Sequence, residues 1–248
     1  MFNVFKGKTS NYKVIKVFKN VDLKQALEID MLDIISLVQK EIDSLGGKGF
    51  DYYELNYGAQ KISNYNQLLK VIKRKNDIFQ ILATDEINSN VLLIDNQMLN
   101  RKANLKDGLF TFHFALDLTL FNAEFIQGFL ISLYKLVDFD YAYLVDLDSN
   151  YDITTERKFK KGLFGIKAEV NEEDNKWNQN AGKIKEGFLK KVYLFNVINN
   201  SQLNNNAMQF LISSKVGEVK NLNENLSIWT ISSDELPYAS EKLKMFFV

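Results

Sequence analysis

The chain has 248 residues, 46% of them hydrophobic, with 31 Lys+Arg set against 31 Asp+Glu for a formal charge of zero. That length and apolar content can supply a sizeable core without staples, and the balanced charge lacks the basic footprint of a general nucleic-acid binder. The absence of cysteine removes disulfide frameworks, thiolate zinc sites and cysteine nucleophiles together, and one histidine is too few for an ordinary zinc or non-haem iron centre.

The N-terminal Met1-Phe2-Asn3-Val4-Phe5-Lys6 has no apolar signal core and no small-residue cleavage site, so a cytoplasmic location is expected. The β-branched and aromatic run 12–18 predicts a strand. A helix over 22–45 follows, with Asp22 as its cap, Gln25 completing a capping box, and Leu23, Leu27, Met31, Ile34, Val38, Ile42 and Leu45 as one apolar stripe; Gly46-Gly47 stops it. A short strand is predicted over 50–55, a helix over 64–75, and a hairpin from 78–83 and 91–94 around the turn-rich 85–90.

After a polar connection near 100–108, the run 109–116 predicts a strand with Phe110, Phe112, Phe114 and Leu116 on one face; His113 would share the other with Thr111, Ala115 and Asp117. A second strong helix over 122–137 leads into a strand over 139–145. Its apolar stretch 125–136 is interrupted by Gln127, Gly128, Ser132 and Lys135, well short of the roughly 20 residues that span a bilayer. The span 146–187 turns polar and predicts a long loop. Beyond it lie strands over 192–198, 208–212, 216–220 and 226–231, then a C-terminal helix with Pro237 near its start. Strands and helices intermix without strict alternation, which predicts an α+β fold in a single domain: a mixed or antiparallel sheet covered by two main helices, with a C-terminal helix.

The candidate chemistries mostly fail on their own terms. Asp146-x-Asp148-x-Asn150-x-Asp152 begins like a calcium loop, but Tyr151 stands where such a loop needs glycine and Arg157 where it needs a bidentate glutamate. Gly46-Gly47-Lys48-Gly49 follows a helix rather than opening one and lacks the GK[ST] ending of a phosphate loop. Arg157-Lys158-Phe159-Lys160-Lys161 reads as a solvated face beside the acidic run. His113 reads first as a half-buried strand residue with a hydrogen-bond partner, and otherwise as a lone general base paired with Asp117. Spacing alone does not remove a pair of carboxylates, whose working distance is spatial.

What remains is the material of recognition: clustered acids, then clustered bases, with aromatics close by. Asp146, Asp148, Asp152, Tyr151 and Trp177 are the residues expected to meet a partner. The long helix leading into Phe139-Asp140-Tyr141-Ala142-Tyr143, the polar Tyr151-Asp152-Ile153-Thr154-Thr155-Glu156-Arg157 and then Val192-Tyr193-Leu194-Phe195-Asn196 resemble, in order, the features of the immunity-protein-52-like families of bacterial polymorphic toxin systems. The strand ending in Trp229-Thr230-Ile231 and the Leu236-Pro237 helix are similar in style to their C-termini. The resemblance implies a cytoplasmic, non-catalytic protein without cofactor that binds and neutralises a cognate toxin or secreted effector. No nucleic acid or membrane is expected as partner, and a homo-oligomer stays open. Two other readings stand beside it: a structural or accessory component of a secretion system or phage assembly, and a hydrolase using His113 or paired carboxylates.

Overall fold

The computed structural model describes residues 12–74, 77–85, 90–100, 106–117, 123–148, 150–152, 155–162, 165–169 and 172–248. The segment 1–6, the centre of the turn after Asp85 and Asn122 lie outside them. In chain order the first half holds β1 (Tyr12–Val21), α1 (Leu23–Glu28), α2 (Met31–Ser44), β2 (Tyr52–Leu55), β3 (Gln60–Ile62), α3 (Tyr65–Ile72), β4 (Gln80–Thr84), β5 (Val91–Asn96) and β6 (Gly108–Asp117). The second half holds α4 (Ala123–Val137), β7 (Tyr141–Leu147), β8 (Tyr151–Asp152), β9 (Arg157–Gly162), β10 (Gly165–Ala168), α5 (Glu172–Gln179), β11 (Phe195–Asn199), α6 (Asn200–Leu203), α7 (Asn206–Ser213), β12 (Glu218–Asn221), β13 (Leu226–Thr230) and α8 (Leu236–Leu243).

Local chemistry explains where these elements start and stop. Asp22 and Gln25 form the reciprocal capping box at the start of α1. The stripe expected as one helix is broken at Ile29, whose backbone is extended, and Asp30 starts α2 by accepting from the N–H groups of Leu32 and Asp33. A side-chain cap competes here with continuation of the helix, and it satisfies donors that a new helix start would otherwise orphan. Leu23 and Leu27 are left exposed as a result. Gly46, with φ of 74°, ends α2, and the Gly47 N–H closes back on the Ile42 carbonyl at 2.9 Å. The segment 208–212 is helical rather than extended. Asn205 caps α7, and the buried Met208 and Leu211 stand one helical turn apart. The span expected as a long loop contains β8, β9, β10 and α5.

Ten strands form one antiparallel sheet in the order β12-β13-β11-β7-β1-β6-β5-β4-β2-β3, while β10-β9-β8 make a small second sheet. The expectation of a sheet covered by two main helices is therefore corrected: the sheet dominates, and eight α-helices, four to fifteen residues long, are found among the described residues. Ten strands about 4.8 Å apart span roughly 43 Å, whereas a helix covers a strip about 10 Å wide. Two helices could screen only part of one face.

Residue alternation divides the sheet into two chemically different faces. On the first, Ile15 and Val17 of β1, Phe110, Phe112 and Phe114 of β6, Ala142 and Leu144 of β7 and Ile81 and Ile94 of the outer strands join one continuous core with Ala26, Ile34, Val38, Leu68, Phe129 and Leu133 of α1 to α4. On the second, Tyr141, Tyr143, Ile198 and Trp229 pack under Met208, Leu211, Ala239 and Leu243 of α7 and α8, with Trp177 of α5 set against Phe18. This second core covers the β12-to-β1 half of the sheet. Towards β6, β5 and β4 the same face becomes polar.

Candidate functional site

The polar region grows out of a single row of the sheet. In register, Lys16 of β1 stands opposite Tyr143 of β7 on one side and His113 of β6 on the other. Side chains at such positions point to the same face within about 5.5 Å of one another. Because β1 alternates, Lys16 points with Tyr12, Val14 and Phe18 into the buried second face, and only 1% of its surface stays exposed. A buried ammonium needs a counter-charge.

Glu156 supplies it from the turn between β8 and β9. Its backbone has φ of 58°, a conformation uncommon for a side-chain-bearing residue, and its N–H donates to the Asp152 carbonyl at 2.7 Å. One carboxylate oxygen, Oε1, accepts from Lys16 Nζ and Lys190 Nζ, each at 3.1 Å, and from the Tyr143 hydroxyl. The other, Oε2, accepts from the Tyr193 hydroxyl at 3.1 Å and faces Lys191 Nζ at 3.4 Å. Tyr143 and Tyr193 stack flat, centroids 3.7 Å apart, and close the apolar side of the cluster. Burial alone would push the Glu156 carboxyl up, but Lys16, Lys190, Lys191 and the Tyr143 hydroxyl together hold it far below the usual carboxylate range. It is an ionised acceptor with every lone pair engaged, poorly suited to general-base work, which needs a pKa near the operating pH. Burial first, and then the Glu156 charge, push the hydroxyls of Tyr141 and Tyr143 well above their ordinary value.

Beside this clamp lies a cavity of about 230 Å³, bounded by β1, β6, β5 and β4 below and by Thr155, Arg157, Trp177 and Asn178 above. His113 is 9% exposed and lines it, and neither ring nitrogen has a hydrogen-bond partner among the described residues. Burial and the positive charges of Lys16 and Lys190 lower its pKa well below 6.5, so the ring is neutral near pH 7. At the far wall Asp95 Oδ2 accepts from Gln80 Nε2 at 3.0 Å, and Tyr57 also bonds this carboxylate. Burial raises the Asp95 pKa, and those two bonds oppose the rise.

The residues expected to face a partner separate into two groups. Asp146, Asp148 and Tyr151 line one open depression of about 560 Å³, together with Glu156 and Lys191. Asp146 is largely exposed and pairs with Lys13 at 3.4 Å; Asp148 accepts from the Asn150 N–H at 2.7 Å in a side-chain-closed turn. Asp152 sits nearby on β8, opposite Arg157. Trp177, by contrast, is 2% exposed and packs edge-on against Phe18 and Tyr141. His113 shares its face with Thr111 and Ala115 as expected, but has no hydrogen-bond partner among the described residues; the Asp117 side chain lies outside the described part. Among the described residues no group of three or more acidic or histidine side chains is set to hold a metal ion, and no helix is long and apolar enough to cross a membrane.

Glu156, Lys16 and Lys190 were not singled out by sequence reasoning. One signal was available: Lys16 shares its alternation with Tyr12, Val14 and Phe18, and a lysine on an otherwise apolar strand face implies a buried partner.

No protein-family model matches the chain, and no curated protein matches it. Among solved structures the fold is similar to that of the Pseudomonas aeruginosa T6SS protein PA0821, with a TM-score of 0.56 and 9% sequence identity over 96% of this chain and 74% of that one. At that identity the likeness is one of fold.

Proposed function

We propose that this chain is a secretion-associated binding protein, an immunity or accessory protein that engages a cognate protein effector and performs no chemistry of its own. The observation that carries the reading is the fold shared along 96% of the chain with a protein of a type VI secretion system. The order of features resembling immunity-protein-52-like families agrees with it. The contact surface we assign is the open depression at the end of β7, where Asp146, Asp148 and Tyr151 come together with Asp152 close by. The exposed Asp146 and the half-buried Asp148 and Asp152 there would steer a cationic partner surface.

Two measurements test this. The product of a neighbouring effector gene should co-purify with this chain; isolation from every such product, with no protection of cells against it, removes the reading. Charge reversal at Asp146, Asp148 and Asp152 together should weaken the complex by roughly tenfold or more, mainly through slower association, while the thermal transition stays in place. Unchanged affinity would move the interface elsewhere.

A second reading draws on one observation, the cavity that gathers His113 and Asp95. It would make the chain a hydrolase with a neutral imidazole as base. Turnover of ester or amide substrates that disappears in His113→Gln would favour it over the binding role.

A further inference from the structure

Among the described residues β12 is one edge of the ten-stranded sheet, and all four of its residues, Glu218 to Asn221, are exposed. Such an edge presents a row of backbone N–H and C=O groups with which another strand can pair. Two hydrogen bonds fix which groups these are. The Leu222 N–H donates to the Leu226 carbonyl at 2.9 Å, so these two positions form a hydrogen-bonded pair where β12 turns into β13. Bonded and non-bonded pairs alternate along an antiparallel ladder, which makes Lys220–Ile228 and Glu218–Thr230 the next bonded pairs. On the far side of β13 the Ile231 N–H donates to the Leu194 carbonyl, which turns Ile231, Trp229 and Ser227 towards β11 and gives the same phase. Val219 and Asn221 therefore aim their N–H and C=O groups away from β13, out of the sheet.

The side chains select the partner. A second β12 can pair antiparallel only where outward-aimed residues stand opposite one another, which leaves registers centred on Glu218, Val219 or Lys220. The first opposes two glutamates and the last opposes two lysines. Centred on Val219, the register sets Glu218 opposite Lys220 of the second copy twice over, with the two valines opposite each other. Opposite charges and β-branched side chains in such cross-strand pairs are stabilising, and like charges are not. Val219 is 36% exposed, and Lys220 Nζ donates to Gln127 Oε1 at 2.9 Å on the exposed surface, a neutral acceptor that a carboxylate can replace. The opposite edge, β3, lacks this symmetry: its Lys61 is paired within its own sheet with Glu54 at 3.2 Å, and Ile62 is buried. We propose that β12 is the joint of a two-fold dimer, in which the sheets of two copies of this chain meet antiparallel at Val219 and continue into one another. The joint lies three strands from β7 in the sheet, so it is a surface separate from the acidic depression.

Sedimentation of the full chain over a micromolar-to-millimolar series should show a monomer–dimer equilibrium that shifts towards monomer as salt is raised, because the charge pairs are exposed to solvent. Val219→Pro removes an N–H that points outwards, a change an edge strand tolerates, and should abolish the dimer while the thermal transition stays in place. Glu218→Lys and Lys220→Glu each make the joint like-charged and should weaken self-association by roughly tenfold or more. Mixed together, these two variants oppose lysines to glutamates and should form a heterodimer about as tight as the parent dimer, a result that does not depend on the proline variant folding. The proposal is overturned if the parent stays monomeric across the series, if the dimer persists unchanged in the three variants, or if the mixture associates no better than its components. A monomeric parent whose co-purifying effector is released by Val219→Pro would give the edge to that effector and overturn the dimer as well.

Discussion

The two faces of the central sheet are built from the same alternating strands, yet they solve the problem of burial in opposite ways. Beneath α1 to α4, β1 and β6 present Ile15, Val17, Phe110, Phe112 and Phe114 to a continuous apolar core. One residue over along the same strands, Lys16 and His113 stand side by side, and Glu156 descends from the β8–β9 turn to pair with Lys16, with Tyr143, Tyr193 and Lys190 around it. The apolar face depends on the sum of many small contacts, any of which can be reduced. The polar part of the second face gathers two buried lysines and two tyrosines on one carboxylate.

That contrast predicts how each face fails. Glu156→Gln removes the carboxylate that Lys16 and Lys190 share and should cost about 3–5 kcal/mol in urea unfolding. Adding Lys16→Met to that variant should recover a substantial part of the loss, because the buried charge goes with it. Phe112→Ala, fully buried on the other face, should cost a similar amount of roughly 3–5 kcal/mol by opening a cavity. No substitution of a single neighbour should rescue it. If the Glu156 and Lys16 losses simply add, the clamp is not the coupled unit described here.

A pH series separates the faces at smaller scale. The folded His113 pKa lies below 6.5, so between that value and the lowered one the unfolded chain binds a proton that the folded chain does not. Its contribution is complete above pH 6.5 and is lost as the pH falls, with a limiting slope of about 1.4 kcal/mol per pH unit. Glu156 acts in the same direction lower down: its folded pKa is depressed, so its stabilisation is full above its ordinary 4.5 and drains as the pH falls further. The midpoint of urea unfolding should therefore decline from pH 6.5 downward in Phe112→Ala as in the parent, and the first part of that decline should vanish in His113→Gln. The smallest effect is expected at Asp30, where Asp30→Ala removes the cap that starts α2 and should cost about 1 kcal/mol.

Much of the apolar face was legible because it is periodic. The phenylalanines of β6 and the Met31, Ile34, Val38 and Ile42 stripe of α2 each repeat at the spacing of their element, and Asp22 with Gln25 and Gly46 with Gly47 mark helix ends by chemistry local to a few residues. The same locality explains the errors. Asp30 lies inside the stretch expected as one helix, and its side chain caps a new one there. Residues 208–212 have too short an apolar run to distinguish strand from helix. Glu156 was hidden for a different reason: it lies 140 residues from Lys16 in the chain, in a polar stretch where nothing local marks one acid from another.

The amino-acid sequence by itself determined the alternation of β1 and β6, the apolar stripes, most helix ends and the lack of cysteine chemistry, since each follows from residues close together in the chain. Only the tertiary structure decided that ten strands share one sheet, that Trp177 turns inward, that Lys16, His113 and Lys190 line one cavity, and that Glu156 pairs with both lysines. Burial and charge pairing act through space, and sequence neighbours carry no record of which distant groups will be brought within 4 Å of one another.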